Sequence, residues 1–162
     1  MTQFLTRTPV IWTLFVLQIL IGFGFFVFRD AAGGQLLDML NTGDAARATI
    51  AGMTEAQRTA HIWITILLDT AYPLVLGGFL AAMALRFFGN FGKLAALPAF
   101  AAIVVDLTEN MIQVLALSGT ADALDAKDWV TPLKSGLFMV AMVIALIALV
   151  IAIIRMFRKT AA

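Results

Sequence analysis

The sequence contains no cysteine, which excludes disulfides, thiolate metal sites, cysteine nucleophiles and iron–sulfur clusters. It contains one histidine, His61, too few for a bis-histidine haem or a histidine-rich metal site. Charge is scarce: Asp, Glu, Lys and Arg make up 13% of 162 residues, about half the share in a typical soluble domain. An excess of one sign is also missing. The 11 Lys and Arg stand against 10 Asp and Glu, a net +1, whereas a nucleic-acid binder needs a surplus of positive charge. The two halves do not match each other in motif, which gives no support to an inverted-repeat transporter within one chain. What is present is apolar: 62% hydrophobic residues and a mean hydropathy of +0.97. Such a chain is too apolar for a soluble globule and too apolar for disorder.

A helix that crosses about 30 Å of hydrocarbon needs about 20 mostly apolar residues. Four segments qualify, at about 9–28, 61–85, 94–118 and 131–154. They are rich in Leu, Ile, Val, Ala, Phe and Gly without strict alternation, which favours helices over barrel strands. The expected fold is all-α: one membrane domain over 1–162, a four-transmembrane-helix bundle with no cofactor. The first segment is longer than the apolar core of a signal peptide, and Phe28-Arg29-Asp30 makes no small-x-small cleavage site, so it reads as a retained helix. The Gly22, Gly24 and Gly77-Gly78 positions read as points of close helix packing.

Basic residues set the expected orientation. With the N-terminus inside, the inner flanks carry Arg7, Arg86, Lys93, Arg155, Arg158 and Lys159, and the outer loops carry Arg29, Arg47, Arg58 and Lys127. Both termini are therefore expected in the cytoplasm, the chain being integral to the cytoplasmic (inner) membrane. The tail Arg155, Arg158 and Lys159 reads as an anchor on anionic lipid. The segment 29–60 is expected to be an outer loop, partly helical. Gly33-Gly34 breaks the chain, Leu36, Leu37, Met39 and Leu40 form a short stretch suited to the membrane surface, and Asn41-Thr42-Gly43-Asp44 reads as a turn. Thr54 and Gln57 have capping-box spacing, so the second helix should start near Thr54 and project above the bilayer. Trp12, Trp63, Tyr72 and Trp129 fall mostly near the expected interfaces. The short connection 87–93 makes the second and third spans antiparallel neighbours.

Three acids lie inside the expected spans, where a charge costs at least a few kcal/mol and marks function by default. Asp106, Glu109, Asn110 and Gln113 are spaced i, i+3, i+4, i+7 and form one helix stripe. Asp69, Tyr72 and Pro73 follow the same spacing on the second span, and Pro73 should kink it beside the acids. Lys134 stands near the start of the fourth span and its stem can reach along the bundle. At 1.5 Å per residue, Asp69, Glu109 and Asp106 lie about 12, 14 and 18 Å below the outer end. These residues are therefore expected to line one polar core in the outer half: Asp69, Tyr72, Asp106, Glu109, Asn110 and Lys134, with Gln18 joining from the first span and Arg58 and His61 capping the mouth. Three carboxylates cannot all ionise close together opposite one lysine, so a proton or a bound cation is expected among them. Buried acid–lysine pairs also fix helix bundles with no further role, and that plainer reading stays open.

Four elements occur in order: Arg58-x-x-His61, Asp69-x-x-Tyr72-Pro73, Asp106-x-x-Glu109-Asn110 and Thr131-x-x-Lys134. In this the stretch from Thr54 to the end of the chain resembles an uncharacterised group of bacterial four-span membrane proteins that share R-x-x-Y, acid-x-x-aromatic-Pro, D-x-x-E-N and T-x-x-K elements. His61 stands where that group has Tyr. The resemblance implies a shared polar site and no particular reaction. Three functions follow from the residues. The first is binding or translocation of a proton, a cation or a small amphipathic ligand, with a homo-oligomer expected because four helices are few for a transporter. The second is an accessory or assembly subunit of a larger membrane complex, suited by the uniformly apolar fourth span. The third is a lipid-modifying enzyme, which ranks last because the chain has neither a second histidine, nor a nucleophile motif, nor a phosphate-binding glycine loop.

Overall fold

A computed structural model describes residues 2–160, with side chains over residues 3–157. The fold is all-helical, with no strand among the described residues. A single turn, α1 (Thr2–Leu5), precedes α2 (Thr8–Phe28), whose Pro9 sits in the first turn where its missing N–H costs nothing. Then come α3 (Gly43–Gly52), α4 (Glu55–Ile64), α5 (Thr70–Phe87), the short α6 (Gly92–Ala95), α7 (Leu97–Leu117) and α8 (Lys127–Thr160). Four apolar helical stretches are long enough to cross a membrane: Thr8–Ala32, Glu55–Phe87, Gly89–Leu117 and Leu124–Phe157. Two of them start well before the expected spans, because the polar residues ahead of 61 and 131 continue the same helices.

α5 is central. It packs against α2, α7 and α8, and α7 packs along α8. Arg86 Nη1 donates to Thr8 Oγ1 at 2.9 Å and Arg155 Nη2 donates to the Phe87 carbonyl at 3.3 Å, so both chain ends lie at one end of the bundle. This is the terminal end; the opposite end, built from 29–64 and 118–130, is the loop end. The terminal half is held by small residues. Ala81, Ala84, Ala96, Ala99, Ala141, Ala145 and Ala148 form its buried core with Leu80 and Met83. At Gly77 a β-carbon would run into the Ile103 side chain and stand 3.3 Å from the Ala99 carbonyl, so α5 and α7 approach each other there as only glycine allows. Gly22, by contrast, faces open space and is no packing point.

The loop end has its own apolar cap of Leu37, Ala46, Ile50, Ile112, Leu117 and Leu124. After α2 and a 3-10 turn, Gly33 and Gly34 take φ of 92° and 83°, a left-handed reversal that turns the chain back over the bundle. In the stretch expected to suit the membrane surface, Met39 is exposed while Leu37 turns inward. Leu37 is fully buried and the segment is folded down onto α4 and α7. The expected turn at 41–44 is instead a helix start: Thr42 caps α3, its hydroxyl accepting from the Ala45 N–H at 3.3 Å. The capping box at Thr54 and Gln57 forms as its spacing requires, with the Thr54 N–H donating to Gln57 Oε1 at 2.9 Å.

Candidate functional site: a buried carboxylate–lysine cluster

The site begins with a defect in a helix. Between α4 and α5, residues Thr65–Asp69 form a π-turn, and Pro73 follows four residues after Asp69. Proline has no N–H to give the carbonyl four residues back, so the Asp69 carbonyl is left without its helical donor. Asn110 on α7 supplies one: its Nδ2 donates to that oxygen at 2.6 Å. The Thr65 carbonyl is met by the Thr70 hydroxyl at 3.1 Å. One amide thus clamps α5 to α7 at the level where both helices present acids, as single-turn π-bulges at functional sites often do.

The acids of α7 meet two lysines of α8. Glu109, fully buried, pairs with Lys127 and with Lys134, whose Nζ stands 2.6 Å from Glu109 Oε2. Thr131, between the two lysines, donates its hydroxyl to Glu109 Oε1 at 2.6 Å. Lys127, Thr131 and Lys134 are spaced i, i+4, i+7 and form one face of α8. Lys134 also pairs with Asp38 from the loop and lies 4.0 Å from Asp106. Asp38, Asp69 and Asp106 each offer a carboxylate oxygen, and the three oxygens lie within 4.8 Å of one another. Three hard oxygens at that spacing suit a small hard cation.

The result is four carboxylates, Asp38, Asp69, Asp106 and Glu109, around two ammonium groups. Glu109 takes both lysines and Asp38 shares one. Among the described residues neither lysine comes within 4 Å of the Asp69 carboxylate, and Asp106 Oδ1 is buried without a hydrogen-bond partner. Gln113, one turn further along the α7 stripe, is wholly buried with both amide atoms unpartnered, and Asn110 Oδ1 is unpartnered as well. Buried polar atoms are ordinarily satisfied, by protein, water or ligand.

The expected residues distribute as follows. Asp69, Asp106, Glu109, Asn110 and Lys134 come together. Tyr72 turns toward α2, packing edge-on against Phe25 with ring centroids 5.9 Å apart. Gln18 is half-buried on α2, its Oε1 unpartnered, and among the described residues it shares no hydrogen bond with the acids. His61 does reach the mouth, as part of the loop's seat: its Nε2 accepts the Leu37 N–H at 3.3 Å. That bond places the ring proton on Nδ1. Arg58 holds α4 to α3 by donating to the Ile50 carbonyl at 2.9 Å. Asp38 and Lys127 are members that the sequence placed in outer loops. Lys127 had a legible signal in its spacing with Thr131 and Lys134, while Asp38 had none.

The loop is fastened by further contacts at the surface. The Gly43 N–H donates to Asp128 Oδ1 at 2.9 Å. Arg47 reaches Asp122 and Asp125, each at 2.7 Å. Its hydrogen bonds to Asp122 hold the Arg47 guanidinium above its ordinary pKa, and the same bonds, with the Leu124 N–H, hold the Asp122 carboxyl below its ordinary value. The side chains of Arg158 and Lys159, expected to anchor the tail, lie outside the described residues.

Comparison of the chain with protein-family models, with curated proteins and with solved structures finds no match.

Proposed function

We propose that this is a four-span protein of the bacterial inner membrane, both termini in the cytoplasm, whose buried cluster binds a cation entering from the loop end. The observation that carries this reading is the charge imbalance of the cluster: four carboxylates around two lysines, with Asp69 and Asp106 left over. In low dielectric that surplus demands a counter-charge, a proton or a small cation. The loop supports an outer entrance. Asp38 is its inserted residue, Lys134 and His61 are its seats, and Asp38 keeps 29% of its side-chain surface exposed. Access from the terminal end has no such support, because every buried polar side chain among the described residues lies in the loop half. Binding is therefore favoured over passage through a single chain. The elements behind the family resemblance add weight, since Asp69, Asp106, Glu109, Asn110, Thr131 and Lys134 all belong to the cluster.

The test is titration of the purified protein in detergent, followed by the carboxyl C=O band in the infrared. Binding of sodium, magnesium and methylammonium is measured in parallel by calorimetry. Proton uptake, or saturable binding of one of these cations, should be lost in Asp69→Asn and Asp106→Asn while helicity by circular dichroism is kept. Identical titration and binding in wild type and both variants would overturn the reading.

A second reading, a subunit of a larger membrane complex, is favoured by α2, which buries none of its residues within the chain. Native mass after gentle extraction separates the two. A stoichiometric foreign subunit would favour this second role, and a multiple of 17.5 kDa would favour a homo-oligomer.

A further inference from the structure

All ten acids of the chain lie in the loop half: three in the long apolar helices, and seven in the outer segments, of which Asp38 joins the cluster. The terminal end carries Arg7, Arg86, Lys93, Arg155, Arg158 and Lys159 and not one acid. Among the described residues, Arg7, Arg86, Lys93 and Arg155 form no ion pair with an acid. Beneath them α2 and α8 both pack against α5 and leave a groove of about 700 Å³ between them. The groove is lined by Ile11, Phe15, Phe79, Met83 and Leu149, with Arg86 at its rim. Arg86 is held in place by its bond to Thr8 and by stacking over the Phe87 ring, 5.5 Å from the centroid. That bond uses one of its five N–H donors.

From this arrangement we infer a binding site for an anionic phospholipid, with an acyl chain in the groove and the phosphate on Arg86. An apolar slot of ligand-pocket size that ends at a fixed guanidinium matches both parts of such a molecule. A guanidinium presents the planar, multiple-donor geometry that phosphate takes. Anionic lipids are enriched in the cytoplasmic leaflet, where the basic end is expected to lie. The inference rests on the membrane-spanning part of the proposal above and is independent of the carboxylate cluster.

The protein is reconstituted into nanodiscs holding equal amounts of phosphatidylglycerol and phosphatidylethanolamine, then released gently for native mass spectrometry. Wild type should retain one phosphatidylglycerol in preference to phosphatidylethanolamine. Arg86→Gln should cut that preference about fivefold, the equivalent of about 1 kcal/mol for one basic residue at the membrane surface. Leu149→Trp, which fills the groove, should lose bound lipid of either headgroup. Equal retention of both lipids by wild type and Arg86→Gln would overturn the inference, as would a dimer that retains no lipid. Circular dichroism confirms that the variants are folded. Co-flotation of wild type with vesicles separates failure of the site from failure of the membrane reading, since a chain that does not float was never a membrane protein.

Discussion

The two halves of the bundle solve the same packing problem by opposite means. In the terminal half, alanines and Gly77 let the helices approach closely, and contact between backbones and small side chains does the holding. In the proposed membrane setting, lipid tails are as apolar as the helices, and close packing is then one of the few forces available. In the loop half the helices are tied by Glu109, Lys127, Lys134, Asn110 and Thr131. Replacing a buried ion pair by packed apolar residues is often neutral or stabilising. The terminal half demonstrates that this chain can build such packing. Close apolar packing is therefore an alternative that this chain uses in one half and not in the other, which is the physical argument behind the proposal of a ligand.

The largest break in that comparison should come from Glu109→Gln. It leaves the buried Lys127 ammonium without its counter-charge and Lys134 with Asp38 as its close partner, and should cost about 3–5 kcal/mol, read as a fall in thermal midpoint in detergent. Adding Lys127→Met should recover part of the loss, because the stranded Lys127 charge is then gone. If the single variant is as stable as wild type, the ion pairs are not formed as described. In the other half, Gly77→Leu should cost about 1–3 kcal/mol by overpacking against Ile103, in the same assay. A smaller loss, about 0.6–1.7 kcal/mol, is expected for Asn110→Leu, which removes the side-chain donor to the Asp69 carbonyl. Hydrogen exchange should then rise first around the π-turn, and uniform exchange along α5 would contradict the clamp.

The smallest effect belongs to the exposed ties of the loop. Arg47→Ala should lower the thermal midpoint slightly at neutral pH, and less in high salt. The sign of the pH dependence follows from Asp122. Its pKa is depressed in the folded protein, so its contribution is present above the ordinary aspartate value of about 3.9 and is lost as pH falls through the folded value. Wild type and Arg47→Ala should therefore converge as pH falls through the depressed folded value of Asp122. A gap that widens in acid would reverse the assignment.

The sequence made the spans legible because hydrocarbon thickness imposes a length on apolar runs. It also marked Asp69, Asp106, Glu109, Asn110 and Lys134, since a polar residue inside such a run stands out. Asp38 and Lys127 escaped because both lie outside the expected spans, Asp38 in an apolar run too short to cross a bilayer and Lys127 among the polar residues ahead of the fourth span. Their burial is produced by tertiary folding, when the loop turns back at Gly33-Gly34 and α8 begins four residues before Thr131. Tyr72 shared the spacing of Asp69 and still faces α2, so a helical stripe names a face without saying which neighbour it meets.

The pairing of α7 with α8 also bears on biosynthesis. Entering the bilayer alone, α7 would take Asp106 and Glu109 into hydrocarbon at about 2.5–3.5 kcal/mol for an acid near a helix centre. Lys127 and Lys134 would burden α8 in the same way. The nine residues of 118–126 keep the two segments within reach as they leave the ribosome. If the chain spans the membrane as proposed, the translocon would release the two segments laterally as one hairpin, their charges already matched.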